Sequence, residues 1–506
     1  MKLTLINPSR KKYNINVFWD FKFLTKLSGG KAFTPISLAL PTLAALTPPD
    51  IEISIIDENA ENINFDEKVD LVALTAMTPY APRAYEIADA FKERGVKVVI
   101  GGIHASMLPE EAAEHADAVV IGEAEEIWEK IIEDFKQNQL QKFYRADRRP
   151  NLEKIPIPRW DLLNKYQYFN YAIQSTRGCP FDCDFCSVWS FLGKEIRCKQ
   201  IEQVLKEVKL IQENQRKKFF KTIFFAEDNI ISNRNHAKNL FKALIPLKLE
   251  HWVCQATINI AKDKELLELL KESNCRSIFI GFESLIQESL VAYGKRVNKV
   301  EEFHLAIETI NSYGIDIIGS FILGGESDDE SVFQKTIDFI NETNMAFAMI
   351  NILTPLPGTR LYKYMEKENR LLHKDWLKYD GNNVCFKPKL MSPKILQDGF
   401  YWVNQQLYSF NNFYKRLCNT WDKGISIVIP NWWKEKPIKD KILYLFLILK
   451  GLASLDMKRN SYILKLFLRW LEGKNINFTD MMEGLNANDF AFNFPKVSKP
   501  SFIKND

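Results

Sequence analysis

The residues that decide the fold are Ser175-Thr176-Arg177-Gly178-Cys179-Pro180-Phe181-Asp182-Cys183-Asp184-Phe185-Cys186. The stretch follows an apolar run that predicts a β-strand, and it holds three cysteines within eight residues, spaced C-x₃-C-x₂-C. Three thiolates at this spacing can bind three irons of one [4Fe–4S] cluster, which leaves the fourth iron open for a ligand. A structural zinc site needs four closed ligands, and the nearest spare cysteine, Cys198, lies twelve residues further on. The spacing therefore favours a cluster over zinc.

The composition is that of a folded globular protein. Of 506 residues, 46% are hydrophobic and 26% are charged, which excludes a disordered or fibrous chain. A net charge of only +4 gives no overall field that would attract nucleic acid. The first of the eight cysteines is Cys179 and we find no secretory signal, so a reducing, cytoplasmic compartment is expected. No apolar run approaches the roughly 18 residues of a membrane span.

Strand and helix patterns alternate in two blocks, which predicts an α/β protein with four parts. Residues 1–140 are expected to form a Rossmann-like domain with a parallel sheet, and residues 141–165 a linker rich in proline and arginine. Residues 166–390 hold six βα units, too few for a closed eightfold barrel, and predict a partial (β/α)6 barrel. Residues 391–506 lose this alternation and are expected to form a mainly α-helical C-terminal domain.

The cysteine stretch and the strand ends after it resemble the radical S-adenosylmethionine (radical SAM) superfamily. The resemblance implies that Cys179, Cys183 and Cys186 hold the cluster, that S-adenosylmethionine binds the open iron, and that its cleavage gives a 5′-deoxyadenosyl radical. Phe185 would lie near the adenine. Further cofactor contacts are implied at three later strand ends, namely Glu227 and Asp228, then Glu283, then Gly324, Gly325 and Glu326. No residue can be assigned as a general base, so the catalytic residues stay unassigned.

The loops of residues 1–140 resemble those of the cobalamin-binding domains fused to many radical SAM enzymes. The segments that carry the resemblance are Gly101-Gly102-Ile103-His104-Ala105-Ser106 and Gly122-Glu123-Ala124-Glu125. It implies cobalamin contacts from Asn7, Thr75, Gly101, Gly102, His104 and Glu123. None of the six histidines lies in a D-x-H-x-x-G motif, so the histidine ligation of cobalt that this motif provides is not expected.

Other interpretations of this first domain stay open. His104 is equally well explained as a loop histidine that is hydrogen-bonded to the backbone. The domain as a whole could be a Rossmann-like module without a ligand. A nicotinamide site is disfavoured because no G-x-G-x-x-G follows the first predicted strand.

The C-terminal region combines adjacent tryptophans, Trp432 and Trp433, with an apolar run, Ile442–Leu449, between lysines. One interpretation is a buried helix that covers the open edge of the barrel. The alternative is an anchor that lies on a membrane surface, which would place the protein peripherally at the inner face of the membrane.

The two cofactors together predict C-methylation. The deoxyadenosyl radical would abstract hydrogen from an unactivated carbon, and methylcobalamin would deliver the methyl group. The order of motifs resembles the branch of hopanoid and bacteriochlorophyll side-chain methylases, which implies an apolar lipid, polycyclic or tetrapyrrole substrate. An external electron donor such as flavodoxin or ferredoxin is also expected.

Three functions other than C-methylation are considered from the same sequence features. The main alternative is a cobalamin-dependent radical cyclisation or rearrangement without methylation. A non-enzymatic cobalamin- or redox-sensing module is argued against by a cluster with an open iron. Methylthiolation of transfer RNA is disfavoured because no cysteine before Cys179 could hold a second cluster, and no nucleic-acid partner is expected.

Overall fold

The computed structural model describes residues 1–10, 32–33, 37–163, 167–168, 170–215, 222–425, 457–472, 488 and 491–495. The strands are β1 Lys2–Asn7, β2 Ala32–Phe33, β3 Glu52–Asp57, β4 Leu71–Thr75, β5 Lys97–Gly101, β6 Ala118–Ile121, β7 Phe143–Arg145, β8 Gln167–Tyr168, β9 Asn170–Ile173, β10 Thr176–Arg177, β11 Arg197–Cys198, β12 Thr222–Phe225, β13 Trp252–Ala256, β14 Cys275–Glu283, β15 Asp316–Leu323 and β16 Phe347–Ile352. The α-helices are α1 Ala39–Leu46, α2 Ala81–Lys92, α3 Ile103–Met107, α4 Pro109–His115, α5 Trp128–Lys136, α6 Val188–Leu192, α7 Ile201–Gln215, α8 Arg234–Leu244, α9 Lys264–Glu272, α10 Gln287–Ala292, α11 Phe303–Ser312, α12 Ser331–Glu342, α13 Arg360–Lys367, α14 Pro393–Leu407, α15 Phe410–Asp422 and α16 Met457–Leu471.

The first domain is built on a six-stranded parallel sheet with the order β3-β1-β4-β5-β6-β7. The sequence of this domain predicts strands at five apolar runs, Leu3–Asn7, Ile51–Ile56, Leu71–Thr75, Val96–Ile100 and Ala118–Ile121. The five longer strands of the sheet confirm these runs to within one residue at each end. The short strand β7 lies inside the predicted linker and pairs with β6. Strand order reverses between β1 and β4, and in such sheets ligands bind in the crevice outside the carboxyl ends of the strands at that point.

The second domain is a curved parallel sheet with the order β16-β15-β14-β13-β12-β9, which confirms the predicted partial barrel of six strands. Alternate side chains of its strands point to opposite faces. Phe321 packs against Phe339 of α12, so the outer face is covered by helices. The opposite set, which includes Ile318, Ser320 and Ile322, therefore faces the inside of the barrel and is only partly buried.

The helices α14 and α15 confirm the predicted helical segment that starts after residue 390. They cover the edge strand β16, where the Tyr408 hydroxyl accepts a hydrogen bond from the Ala348 N–H at 3.0 Å. The buried Arg416 donates to the Met345 carbonyl at 2.9 Å. Trp432, Trp433 and the run Ile442–Leu449 lie outside the described residues. Among the helices that the structure describes, none is long and apolar enough to cross a membrane.

Candidate active site

The segment that carries the three cysteines, residues 175–186, is called the cluster loop, and its conformation depends on one glycine. Gly178 has φ +103°, and a Cβ there would overlap the carbonyl oxygen of Glu195. The Cys179 N–H donates to the Gly193 carbonyl at 3.2 Å. The Trp189 indole donates to the Cys183 carbonyl at 2.9 Å. The loop that carries the three thiols is thus held from both sides.

The three thiols fit a cluster better than a single metal ion. Cys183 is buried, and Cys179 and Cys186 are partly buried. Burial raises the pKa of all three thiols, that of Cys186 to about 12, so they need bound cations to become thiolates. Across the described ranges, no three His, Cys, Asp or Glu side chains converge closely enough to hold one metal ion. In a cubane each thiolate binds a different iron, so such convergence is not needed.

Two carboxyl groups follow β12 beside this loop, as the sequence predicts: Glu227 is buried and Asp228 is partly buried. Glu227 accepts a hydrogen bond from the Ser175 N–H through Oε1, while its Oε2 has no partner among the described residues. Burial raises the pKa of Glu227 to about 7 and that of Asp228 to about 6. Asp228 is close enough to Cys179 and Cys186 to raise the pKa of each thiol. A cationic amino group bound here would restore the charge of both carboxylates.

At the end of β14, Glu283 meets a lysine that sequence reasoning missed. Glu283 has φ +66° at an irregularity in the β14–β15 pairing, and its Oε1 lies 2.8 Å from Nζ of Lys295. Burial lowers the pKa of Lys295. Glu283 and the thiols of Cys183 and Cys186 raise it by more than burial lowers it, so the net shift of this pKa is upward. Glu283 is thus paired with the partly buried ammonium group of Lys295.

Tyr293 lies against both Phe185 and the glycines that follow β15. The rings of Phe185 and Tyr293 meet edge to face, with centroids 5.4 Å apart. A Cβ on Gly325 would lie 2.6 Å from the Tyr293 hydroxyl, so only glycine fits against this ring. The N–H groups of Gly324 and Gly325 both donate to Asp328, at 3.1 and 2.9 Å.

Glu326, also predicted as a cofactor contact, faces a different set of groups. It forms ion pairs with Arg370, at 2.8 Å, and with Lys389. Both partners come from the segment that follows α13, which thereby ties down the loop after β15. Among the described residues, no hydrogen bond or ion pair links Glu326 to the three thiols.

In the first domain, Gly101 and Gly102 bring two strand-end loops into close contact. Gly102 has φ +94°, and a Cβ there would lie 2.8 Å from the Ala76 nitrogen and from Thr75 Oγ1. The His104 N–H donates to the Ala76 carbonyl at 3.1 Å. The loops after β4 and β5 therefore form one rigid rim at the ligand-binding edge of the sheet.

Asn7 and His104 lie on the same rim and are both hydrogen-bonded within the protein. Asn7 donates to Asp57 at 3.0 Å. His104 is buried, with Nε2 3.1 Å from Glu111 and with Nδ1 lacking a partner in the part of the chain that is described. The Trp376 indole donates to the same Glu111 carboxylate at 3.0 Å. The His104 ring is therefore paired with a carboxylate, whereas the alternative interpretation expected a hydrogen bond to the backbone.

Glu123 joins the two domains. Its carboxylate forms ion pairs with Arg177, at 2.7 Å, and with Arg197, at 2.8 Å, and Glu125 adds a second carboxylate to Arg177. Arg177 lies two residues before Cys179, so the loop after β6 is bound directly to the cluster loop. A second buried pair, Arg10 with Asp380 at 2.8 Å, joins the end of β1 to the second domain.

Comparison with known proteins agrees with this geometry. A model of the radical SAM superfamily matches residues 173–340, a model of the B12-binding domain matches residues 43–132, and a model of a domain of unknown function matches residues 359–487. Over 423 residues, the chain is 30% identical to bacteriochlorophyllide d C-12(1)-methyltransferase of Chlorobaculum tepidum, which covers 82% of this chain and 91% of that protein. It is 28% identical to hopanoid C-2 methylase of Rhodopseudomonas palustris, covering 68% of this chain and 66% of that one.

A solved structure supports the same fold. The cobalamin-dependent radical enzyme OxsB, with aqua-cobalamin and S-adenosylmethionine bound, superimposes with a TM-score of 0.62 at 16% identity, over 97% of this chain and 79% of that one. The predicted cofactors are confirmed as a [4Fe–4S] cluster, S-adenosylmethionine and cobalamin. The chain belongs to the cobalamin-dependent radical SAM methyltransferases, the family of the bacteriochlorophyllide and hopanoid C-methylases.

Proposed function

We propose that the protein methylates an unactivated carbon of an apolar small molecule: a polycyclic compound, a tetrapyrrole or a lipid. The observation that carries the proposal is the direct bonding of Glu123, on the rim of the first sheet, to Arg177, in the cluster loop. Hydrogen abstraction and methyl transfer must reach the same carbon, so the two cofactor sites have to open into one space. Bonding between the two rims meets that requirement.

The residues of the chain bind and orient the cofactors. Cys179, Cys183 and Cys186 hold the cluster, and the buried Glu227 and the partly buried Asp228 offer two carboxyl groups to the amino group of S-adenosylmethionine. When bound, the cluster with S-adenosylmethionine supplies a hydrogen-abstracting radical and cobalamin supplies the methyl group.

The inner face of the barrel supports an apolar substrate. Phe225 packs on Trp252 on the helix-covered side, so its neighbour Phe224 faces inward. Phe224 meets Phe279 of β14 edge to face, with centroids 5.7 Å apart, and both rings are only partly buried. The substrates in the names of the two relatives, bacteriochlorophyllide and a hopanoid, are also large and apolar.

The test starts from anaerobically reconstituted protein, in which iron near four and cobalamin near one per chain are expected. Apolar substrates are then offered with methyl-labelled S-adenosylmethionine and reduced flavodoxin or ferredoxin, our proposed electron donors. Methylation predicts label in the product, together with equal amounts of S-adenosylhomocysteine and 5′-deoxyadenosine. Product that carries no label, formed with 5′-deoxyadenosine alone, would instead establish cyclisation or rearrangement. Cobalamin that does not bind would refute the proposal at its first step.

A further inference from the structure

The segment after α10 packs directly against the cluster loop. The Asp184 N–H, between two of the cluster cysteines, donates to the Tyr293 carbonyl at 2.8 Å. The Phe185 ring lies against the Tyr293 ring, and Tyr293 is fully buried. Lys295 follows two residues later, so its position relative to the thiols is set by a hydrogen bond and a ring contact.

Lys295 brings a positive charge to the thiols. Its ammonium is close enough to interact electrostatically with Cys179, Cys183 and Cys186. The side chain is 13% exposed, so solvent screens these interactions only weakly. Its anionic partner is Glu283, which is 9% exposed and 2.8 Å away.

The pair is poorly explained as a device for stability. A buried ion pair loses about as much hydration energy as it gains in attraction, and an apolar pair of similar volume packs as well. The ammonium belongs to the segment that packs on the loop between Cys183 and Cys186, and this position points instead to an electrostatic effect on the cluster.

We propose that Lys295 raises the reduction potential of the [4Fe–4S] cluster, and that Glu283 limits this effect as its counter-ion. Reduction adds one electron from the external donor and makes the cluster more negative. A nearby cation stabilises the reduced form more than the oxidised form, and net charge is one of the factors that set the potential of such clusters. The proposal does not depend on methylation or on the identity of the substrate.

The experiment compares three variants of the reconstituted holoenzyme. Lys295→Met removes the charge at similar length, Lys295→Arg keeps it, and Glu283→Gln frees the ammonium from its counter-ion. The midpoint potential is measured by anaerobic titration, with the electron paramagnetic resonance signal of the reduced cluster as the readout and S-adenosylmethionine absent. We expect a lower potential in Lys295→Met, a higher one in Glu283→Gln, and a value near wild type in Lys295→Arg.

General damage to the loop would not shift the midpoint potential in opposite directions in Lys295→Met and Glu283→Gln. The two variants together therefore distinguish an effect of charge from an effect of altered structure. Iron content is measured in each variant. If Lys295→Met does not retain the cluster, Glu283→Gln alone decides the question by the sign of its shift. Unchanged potentials with a weakened affinity for S-adenosylmethionine would overturn the proposal and make Lys295 a contact of that cofactor.

Discussion

Replacing Glu123 with alanine is expected to loosen the cluster loop, although Glu123 belongs to the other domain. Its carboxylate is 5% exposed and bonded to Arg177 and Arg197, which are 12% and 10% exposed. Without it, two nearly buried guanidinium groups lose an anion. Arg177 keeps Glu125, and Arg197 keeps the carbonyls of Pro150 and Leu192, each at 3.1 Å.

The size of the effect follows from this burial. Removing one partner of a buried ion pair costs about 3–5 kcal/mol, because the other charge is left uncompensated. Because Arg177 and Arg197 keep other partners, we expect a cost at the lower end of this range, about 3 kcal/mol. That cost corresponds to about a 100-fold change in the equilibrium constant for local opening of the cluster loop. Glu126→Ala is a matched control, since Glu126 pairs at 3.4 Å with Arg148, which is 79% exposed. Exposed pairs contribute at most about 1 kcal/mol.

Hydrogen–deuterium exchange of the reconstituted protein measures this opening locally. Suitable reporters are the N–H groups of Cys179, bonded to Gly193, and of Lys199, bonded to Ser175 at 2.8 Å. We expect about 100-fold faster exchange of these amides in Glu123→Ala and a change of only a few-fold in Glu126→Ala. Equal, small changes in both variants would refute the argument that the buried charges hold the loop. Equal acceleration throughout the chain would show global destabilisation instead.

Three further predictions concern the cluster loop and its neighbours. Cys183→Ala should lose the cluster and all cleavage of S-adenosylmethionine while its circular dichroism stays native; retained cleavage would disprove the site. Gly178→Ala should lower iron content because its Cβ would overlap Glu195, whereas Gly122→Ala, with φ +92° and no atom within 4 Å of that Cβ, should retain iron. In apoprotein, burial raises the pKa of Glu227 to about 7, so folding stability should fall by roughly 3 kcal/mol as pH rises from about 4.5 to 7. Urea unfolding of Glu227→Gln should show a decline smaller by this amount than that of wild type, the rest coming from Asp228, and equal declines in the two proteins would contradict the burial argument.

The strands were predictable because their signal is local. Apolar runs such as Leu71–Thr75 and Ala118–Ile121 appear in the structure at the predicted residues. Strand β7 was missed because it has three residues, of which only Tyr144 is buried, in a stretch whose prolines and arginines indicate a linker. A strand of three residues is too short to show the alternation of apolar and polar residues by which strands are predicted.

The partners of the site residues were not predictable, because they are distant in the sequence. Glu123 meets Arg197 across 74 residues, and Glu326 meets Arg370 across 44. A motif identifies which residue type stands at a strand end, but not which cation will reach it. Lys295, twelve residues after Glu283, is part of no motif that we recognised, and only the fold brings it to the thiols.

We expect the charges between the domains to link the two predicted cofactor sites energetically as well as spatially. The loop after β6 reaches Arg177 through Glu123 and Glu125, and Arg177 lies two residues before the first predicted cluster ligand, Cys179. A ligand that orders one of these loops therefore changes the free energy of ordering the other. Because such a coupling is reciprocal, any factor by which bound cobalamin strengthens cluster retention is also the factor by which the cluster strengthens cobalamin binding. We therefore expect the rim contacts to make binding of the two cofactors cooperative, which suits a reaction that needs both cofactors at one carbon.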